Sequence, residues 1–303
     1  MGSSLLQAVN NNKIAKDVTI IVNKDQYIKA LQSQKISASM DYKVTKDADL
    51  VIICSNLESY KDIIIGLNQY ANKDTIITDI GSVKIMAEDL FDQQYKYSKN
   101  FVPAHPIAGS ERSGFGVIIE DLYTGKKVII TRKTKPSKLV AKFYKAIGMD
   151  VEYLASNEHD QIFAEISHLP QLLAFECRHT SIGFSGDLNS LNNIKIQKFM
   201  RLGDSNKDLW DEIFSYNMVR IVDLVTDYRR NYQENTSYQK FSTSLRSYQR
   251  SLCEFDLHLS KGAMKINAEP IQQIIVSYLD SINPDSVKYA GSGFMDFIQP
   301  IFE

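Results

Sequence analysis

The chain has 303 residues and a formal net charge of −1, with 35 Lys and Arg against 36 Asp and Glu. No block of like charge stands out, which argues against nucleic acid as the main partner, and 44% hydrophobic content is enough for a sizeable core and two domains. The three cysteines, Cys54, Cys177 and Cys253, are odd in number and far apart, which argues against a disulfide framework or a zinc site. With no apolar stretch of membrane-spanning length and no signal peptide, the expectation is a soluble cytoplasmic protein.

Helical spacing starts at once, with Leu5, Val9 and Ile14 able to share one face. Val18 to Val22 reads as a strand, Asp25 to Gln34 as a helix, Asp49 to Cys54 as a buried strand and Tyr60 to Tyr70 as a helix. Thr75 to Asp79 is the next strand, and Phe101 to Ala104 a shorter one whose end is fixed by Pro103 and Pro106. Lys127 to Thr131 and Val151 to Leu154 add late strands around a helix at Ser137 to Ile147. This alternation predicts an α/β, Rossmann-like, doubly wound parallel sheet over residues 1–154.

After Leu154 no convincing strand follows, so residues 155–303 read as an all-helical second domain. Asn157 to Ser181 is helical, with Ile162, Ile166, Leu169 and Leu173 on one face and a kink expected at Pro170. Ser205 to Asp208 can cap a helix running to about Arg230, with Trp210, Phe214, Met218, Ile221 and Val225 along one face. Further helices fit Tyr238 to Leu259 and Glu269 to Ser281.

In an open α/β sheet, ligands bind at the carboxyl ends of the strands. Two such ends carry chemistry here. One continues as Ile80-Gly81-Ser82-Val83-Lys84 and the other as His105-Pro106-Ile107-Ala108-Gly109-Ser110-Glu111-Arg112-Ser113-Gly114. A histidine suits the removal of a hydroxyl proton because its pKa lies near the working pH. His105 is the candidate, and Ser82 at the neighbouring strand end can orient it or cap a helix. Doubly wound domains usually bind a dinucleotide through G-x-G-x-x-G between first strand and first helix. Gly2 can serve as the third glycine; the chain as given carries no preceding strand and no first or second glycine.

Taken together, His105 to Glu111, Asp79 to Lys84, His159-Asp160, Ser167-His168-Leu169-Pro170 and Phe199-Met200-Arg201-Leu202-Gly203, followed by Leu209-Trp210 and Asn217, resemble the prephenate/arogenate dehydrogenases of tyrosine biosynthesis. The resemblance is collinear from Met1 to about Asn217. It implies NAD(P)-dependent oxidative decarboxylation. Hydride leaves the ring carbon that bears the 4-hydroxyl, and the ring carboxylate leaves as CO2. Prephenate then gives 4-hydroxyphenylpyruvate, and arogenate gives tyrosine.

The resemblance implies catalytic roles for His105 and Ser82. It places Arg201 as the fork for a substrate carboxylate, with Ser110 and Glu111 lining the same pocket. His168 is either a substrate contact or a core histidine that holds the kink. The family usually carries a second histidine where this chain has Gln171, and an Asp where it has Lys198. Cofactor contacts fall to Gly2, Asn23, Lys24, Ser55 and Gly81. Lys24 in the cationic place favours NADP over NAD, while Asp25 serves NAD if its strand ends later. Cys54 reads as a buried packing residue. A homodimer through long helices is implied, with the site in the cleft between domains.

Gly291 to Phe297 resembles the Gly-rich turn and Asp missing before Arg201. It reads as a partial duplication, a tail at a dimer interface, or chance. Two other readings stand beside the main one. The first is a catalytically impaired remnant lacking the glycine-rich loop, or a piece of a longer protein. The second is another β-hydroxyacid dehydrogenase, against which the absence of lysine from Asn157 to Ser181 counts.

Overall fold

The structure is a computed structural model and describes residues 1–109, 115–181, 199 and 201–234. The chain opens with α1 (Gly2–Asn11), β1 (Thr19–Ile21), α2 (Asp25–Ser33) and β2 (Ser37–Ser39). It continues through β3 (Leu50–Ile53), α3 (Tyr60–Tyr70), β4 (Ile76–Asp79), α4 (Ile85–Gln94) and β5 (Phe101–Val102). Next come β6 (Ala104–Pro106), β7 (Lys127–Ile130), α5 (Ser137–Ala146) and β8 (Asp150–Tyr153). The helical part comprises α6 (Ser156–Phe163), a π-helical turn (Ala164–His168), α7 (Leu169–Ser181) and α8 (Lys207–Glu234).

Three ladders form. β1 pairs β2 in parallel; β3, β4 and β5 run parallel in that order; β6, β7 and β8 make the third. The expected all-parallel sheet needs one correction, because β6 runs antiparallel to β7 (His105 opposite Ile129) before β7 pairs β8 in parallel. Pro103 separates β5 from β6, so the expected single strand is two short ones. Pro106 does not end the pairing, since it lies opposite Val128 within β6. β2 was not foreseen: Ser37-Ala38-Ser39 has no apolar alternation and is recruited by its register against β1.

The β-rich half carries helices on both faces. Leu5 and Val9 of α1 pack with Val140 and Tyr144 of α5 over Val102, Val128 and Ile130. On the opposite face Tyr60 and Ile64 of α3 and Phe91 of α4 cover Ile77 and Phe101, and Phe91 stacks on Phe101 at 3.7 Å. Fully burying side chains of this size stabilises by about 1.5–3 kcal/mol each. Ile213 of α8 joins this second cluster, so the helical half is docked onto α3 and α4. The third cluster holds Leu172 of α7 with Phe214, Met218 and Ile221 of α8, and Trp210 and Val225 pack against it, which completes the stripe expected for α8.

The kink expected at Pro170 is a π-helical turn just before it. Proline lacks the N–H that would bond four residues back, and a widened turn accommodates the missing bond. Asn206 is the residue that caps α8, its Oδ1 accepting from Leu209 N at 3.2 Å. Among the described residues no helix is long and apolar enough to cross a membrane. The helices expected at Tyr238 to Leu259 and Glu269 to Ser281, and the Gly-rich stretch after Val287, lie outside the described residues.

Candidate active site

The site begins with a buried ion pair at the end of β4. The Asp79 carboxylate is fully buried and accepts from Lys84 Nζ at 2.5 Å, the Tyr60 hydroxyl at 2.8 Å, Ala104 N at 3.0 Å and Gly81 N at 3.1 Å. Lys84 Nζ also donates to Ala104 O at 2.9 Å. Side chains from the last residue of β4 and from the residue before α4 therefore hold both backbone polar groups of the residue before His105. A buried charge persists only when paired and hydrogen-bonded, and both conditions are met. Lys84, the cation of this strand-end stretch, is committed to this pair with no exposed surface.

Gly81 has an internal reason to be glycine. An added Cβ would lie 2.9 Å from Asp79 Oδ2 and 3.0 Å from both the Tyr60 hydroxyl and Leu57 Cδ2. Gly81→Ala is expected to lower stability by about 1–3 kcal/mol through this overpacking, read as a lower urea midpoint with an unchanged slope.

A line of hydrogen bonds runs from α4 to His105. Asp160 of α6 accepts from Lys84 N at 2.9 Å and Ile85 N at 2.9 Å, at the N-terminus of α4. Burial raises its pKa, but the His159 hydrogen bond and these N–H groups outweigh burial and hold the carboxyl below its ordinary value. An ionised carboxylate only accepts, so His159 Nδ1 is the donor to Asp160 Oδ1 at 2.7 Å. Burial keeps His159 below the usual histidine pKa despite Asp160, so its Nε2 holds a lone pair. That lone pair faces His105 Nδ1 at 2.9 Å. His105 must then donate from Nδ1 and carry its own lone pair on Nε2. Burial, followed by His159, Lys84 and His168, pushes the His105 pKa well below its ordinary value.

His105 lines a cleft of about 310 Å³ with Ser82, Pro106, Phe163, His168 and Trp210 among its other walls. Phe163 is wedged among three imidazoles, with its ring centroid 4.8 Å from that of His105, 4.4 Å from His159 and 6.5 Å from His168. His168 is buried, and burial lowers its pKa to about 4 against the upward pull of Asp160. The cleft is thus walled by β6, the β4–α4 connection, α6, the π-helical turn and α8.

The structure brings together Ser82, His105 and His168. It also shows that His159, rather than Ser82, fixes the His105 ring. Gln171 is buried and donates to Leu202 O at 2.6 Å, tying α7 to the segment after Arg201 instead of lining the cleft. Arg201 is exposed and does not line the cleft. Ser110, Glu111 and Lys198 lie outside the described residues.

Gly2 opens α1, and a Cβ there would sit 3.2 Å from Cys54 Cβ, so α1 abuts the carboxyl end of β3. Ser55, Asn23 and Lys24 are exposed. Cys54 lies past the end of the strand with part of its surface open, yet its side chain packs under Gly2 and burial pushes the thiol up to about 12, so it is a covered, unreactive thiol at the strand end and not a core residue. Sequence reasoning missed His159, Asp160 and Asn217 as functional groups. Each was visible as part of a motif, but only the fold shows which atom each one holds.

Comparison with known proteins agrees with this architecture. The family model for the prephenate dehydrogenase nucleotide-binding domain matches residues 8–153, and that for the prephenate dehydrogenase dimerization domain matches residues 155–246. A prephenate dehydrogenase of Bacillus subtilis is 25% identical over 252 residues, covering 78% of this chain and 67% of that protein. A cyclohexadienyl dehydrogenase of Zymomonas mobilis is 26% identical over 185 residues, covering 57% of this chain and 61% of that protein. The crystal structure of the prephenate dehydrogenase of Aquifex aeolicus, in complex with hydroxyphenyl propionate and NAD+, superposes with a TM-score of 0.70 at 27% identity. That match covers 86% of this chain and 95% of the other. With both domains matched in order across the cleft just described, the chain belongs to the prephenate dehydrogenase family.

Proposed function

We propose that this chain catalyses oxidative decarboxylation of prephenate to 4-hydroxyphenylpyruvate, with His105 as the base. The observation that carries this reading is the line Asp160–His159–His105, which ends in an imidazole lone pair at a cleft wall. His105 Nε2 takes the proton of the substrate's 4-hydroxyl as the C4–H bond breaks and the C4–O bond becomes a carbonyl. A nicotinamide dinucleotide, when bound, supplies the acceptor for the hydride. The positive charge on His105 is stabilised through its Nδ1–H to His159 and on to the Asp160 carboxylate. The ring C–CO2 bond then breaks, its electron pair aromatises the ring, and the phenolate oxygen takes the proton back from His105. Ser82, on the same cleft wall, supplies a hydrogen bond to the 4-oxygen.

The residues fit the dinucleotide. The first turn of α1 carries no acidic side chain, and its approach to the end of β3 allows close backbone contact with an anion. Gly2 and Ser55 would hold the pyrophosphate side, with Gly81 shaping the neighbouring turn. Asn23 and Lys24 would hold the adenosine ribose. β1 ends at Ile21 and Asp25 already opens α2, so the alternative in which the strand runs on to Asp25 loses ground, which supports Lys24 as the group for a 2′-phosphate and NADP as the cofactor. Residues 1–154 are assigned to nucleotide binding and 155–303 to the part through which two copies pair, in keeping with the family domains matched at 8–153 and 155–246.

The test is nicotinamide reduction followed by near-ultraviolet absorbance, with prephenate and arogenate each offered with NADP and NAD. Turnover of prephenate, faster with NADP, is expected. Turnover of arogenate alone would overturn the substrate assignment, and no turnover by a folded chain would overturn the reading. Arg201, which lies outside the residues walling the cleft, is proposed on its family position to pair with a substrate carboxylate that projects beyond those walls. Arg201→Ala is expected to raise the prephenate KM roughly tenfold or more, the scale of a lost charge-assisted hydrogen bond, with the cofactor KM unchanged.

A further inference from the structure

We propose that Asn217 fixes His168 in the tautomer that carries its proton on Nε2, making His168 an uncharged N–H donor to a substrate oxygen in the cleft where His105 presents a lone pair. This rests on the proposed function for its substrate and on the side-chain geometry for the tautomer.

Asn217 lies on α8 and is buried. Its Nδ2 is 2.8 Å from Asp160 O and 2.9 Å from His168 Nδ1. A backbone carbonyl has no proton to give, so the amide edge facing Asp160 O must be the NH2 group. Turning the amide over would set two acceptor oxygens against each other at 2.8 Å. The same nitrogen faces His168 Nδ1, and an amide NH2 accepts nothing. His168 Nδ1 must therefore hold a lone pair, and the neutral ring keeps its proton on Nε2. A second proton on Nδ1 would point at the N–H groups of Asn217, which agrees with a His168 pKa lowered to about 4 by burial.

The groups around His168 leave its other edge to the cleft. Asp160 and His159 approach from α6, Asn217 and Trp210 from α8, and Phe163 from the end of α6. His168 is one of the residues lining the cleft, and its only side-chain hydrogen bond among the described residues is the one at Nδ1. The two cleft imidazoles are thus set to opposite tautomers by different partners. Asp160, acting through His159, makes His105 an acceptor; Asn217 makes His168 a donor. The donor suits a substrate carbonyl or carboxylate oxygen away from the reacting hydroxyl. Asn217 is a positioning residue, acting only through His168.

The test joins spectroscopy to kinetics. Long-range 1H–15N NMR of the 15N-labelled chain, with His168→Leu to assign the ring, is expected to show a pyrrole-type Nε2 and a pyridine-type Nδ1. These should persist from about pH 8 to about pH 6, across the usual histidine titration. In Asn217→Asp the carboxylate can only accept, so the proton is expected on Nδ1. The prephenate KM should then rise roughly tenfold, the scale of one lost donor, with the cofactor KM unchanged. In a His168→Leu background the same substitution should change the prephenate KM by less than about twofold, because no donor remains to be lost.

A wild-type ring protonated on Nδ1, or titrating near its usual pH, would overturn the proposal. So would an equal effect of Asn217→Asp with and without His168. The wild-type spectrum decides the tautomer even when Asn217→Asp does not fold. A chain that turns over neither substrate but shows the expected tautomer would refute the proposed function alone.

Discussion

His105→Asn is expected to lower kcat/KM for prephenate by roughly 10²–10⁴-fold, the range for removal of a general base, while binding of the dinucleotide is kept. The reason is positional. His105 Nδ1 is spoken for by His159, so only Nε2 can receive the substrate proton. Asn carries no nitrogen lone pair that reaches as far. The pH profile carries the same argument. A base works deprotonated, and burial together with His159 holds the His105 pKa well below its ordinary value. The acid limb of kcat/KM in the wild type should therefore lie below about pH 6.5, the usual imidazole value. His105 and His159 share a hydrogen bond, so the limb reports the pair.

Stability has a related pH dependence, and its sign is fixed. His105, His159 and His168 all have folded pKa values below the unfolded one. Between those values the unfolded chain binds more protons, so stability is full above about pH 6.5 and falls as pH drops toward the His168 value near 4. Circular dichroism at each pH separates this loss from the kinetic limb.

Lys84→Met is the second large effect. It leaves the Asp79 carboxylate buried without its cation and Ala104 O without a donor. Breaking a buried pair from one side costs about 3–5 kcal/mol, a large share of the roughly 5–15 kcal/mol that holds a typical protein folded. A sharply lower denaturant midpoint is expected. Asp79→Asn combined with Lys84→Met should recover part of it, because the uncompensated charge is gone. An unchanged midpoint in Lys84→Met would mean that the pair does not anchor the segment before His105.

The parts of this fold that sequence made legible are those where local pattern and tertiary role coincide. α3 could be read from Tyr60 to Tyr70 because Tyr60, Ile64 and Leu67 repeat at helical spacing and all three are buried. β2 could not, because its three small residues make sense only against β1. The antiparallel β6 was hidden because strand direction is set by a partner more than twenty residues away in sequence, at Val128 to Ile130.

The site divides in the same way. His105 stood out as an imidazole at a strand end. Sequence offers Ser82, at the neighbouring strand end, to orient it or to cap a helix. The actual partner, His159, comes from a helix 54 residues later, and no local pattern links the two. At Lys84 sequence shows the charge but not the complete burial that commits it to Asp79. Asn217 has no chemistry of its own, and its importance lies in two atoms that it touches on other elements.

The most direct test of the central claim is to follow CO2 release and nicotinamide reduction together with prephenate as substrate. The account predicts one CO2 for each nicotinamide reduced, with both lost in His105→Asn. Nicotinamide reduction without CO2, or neither product from a folded wild-type chain supplied with prephenate and NADP or NAD, would contradict it.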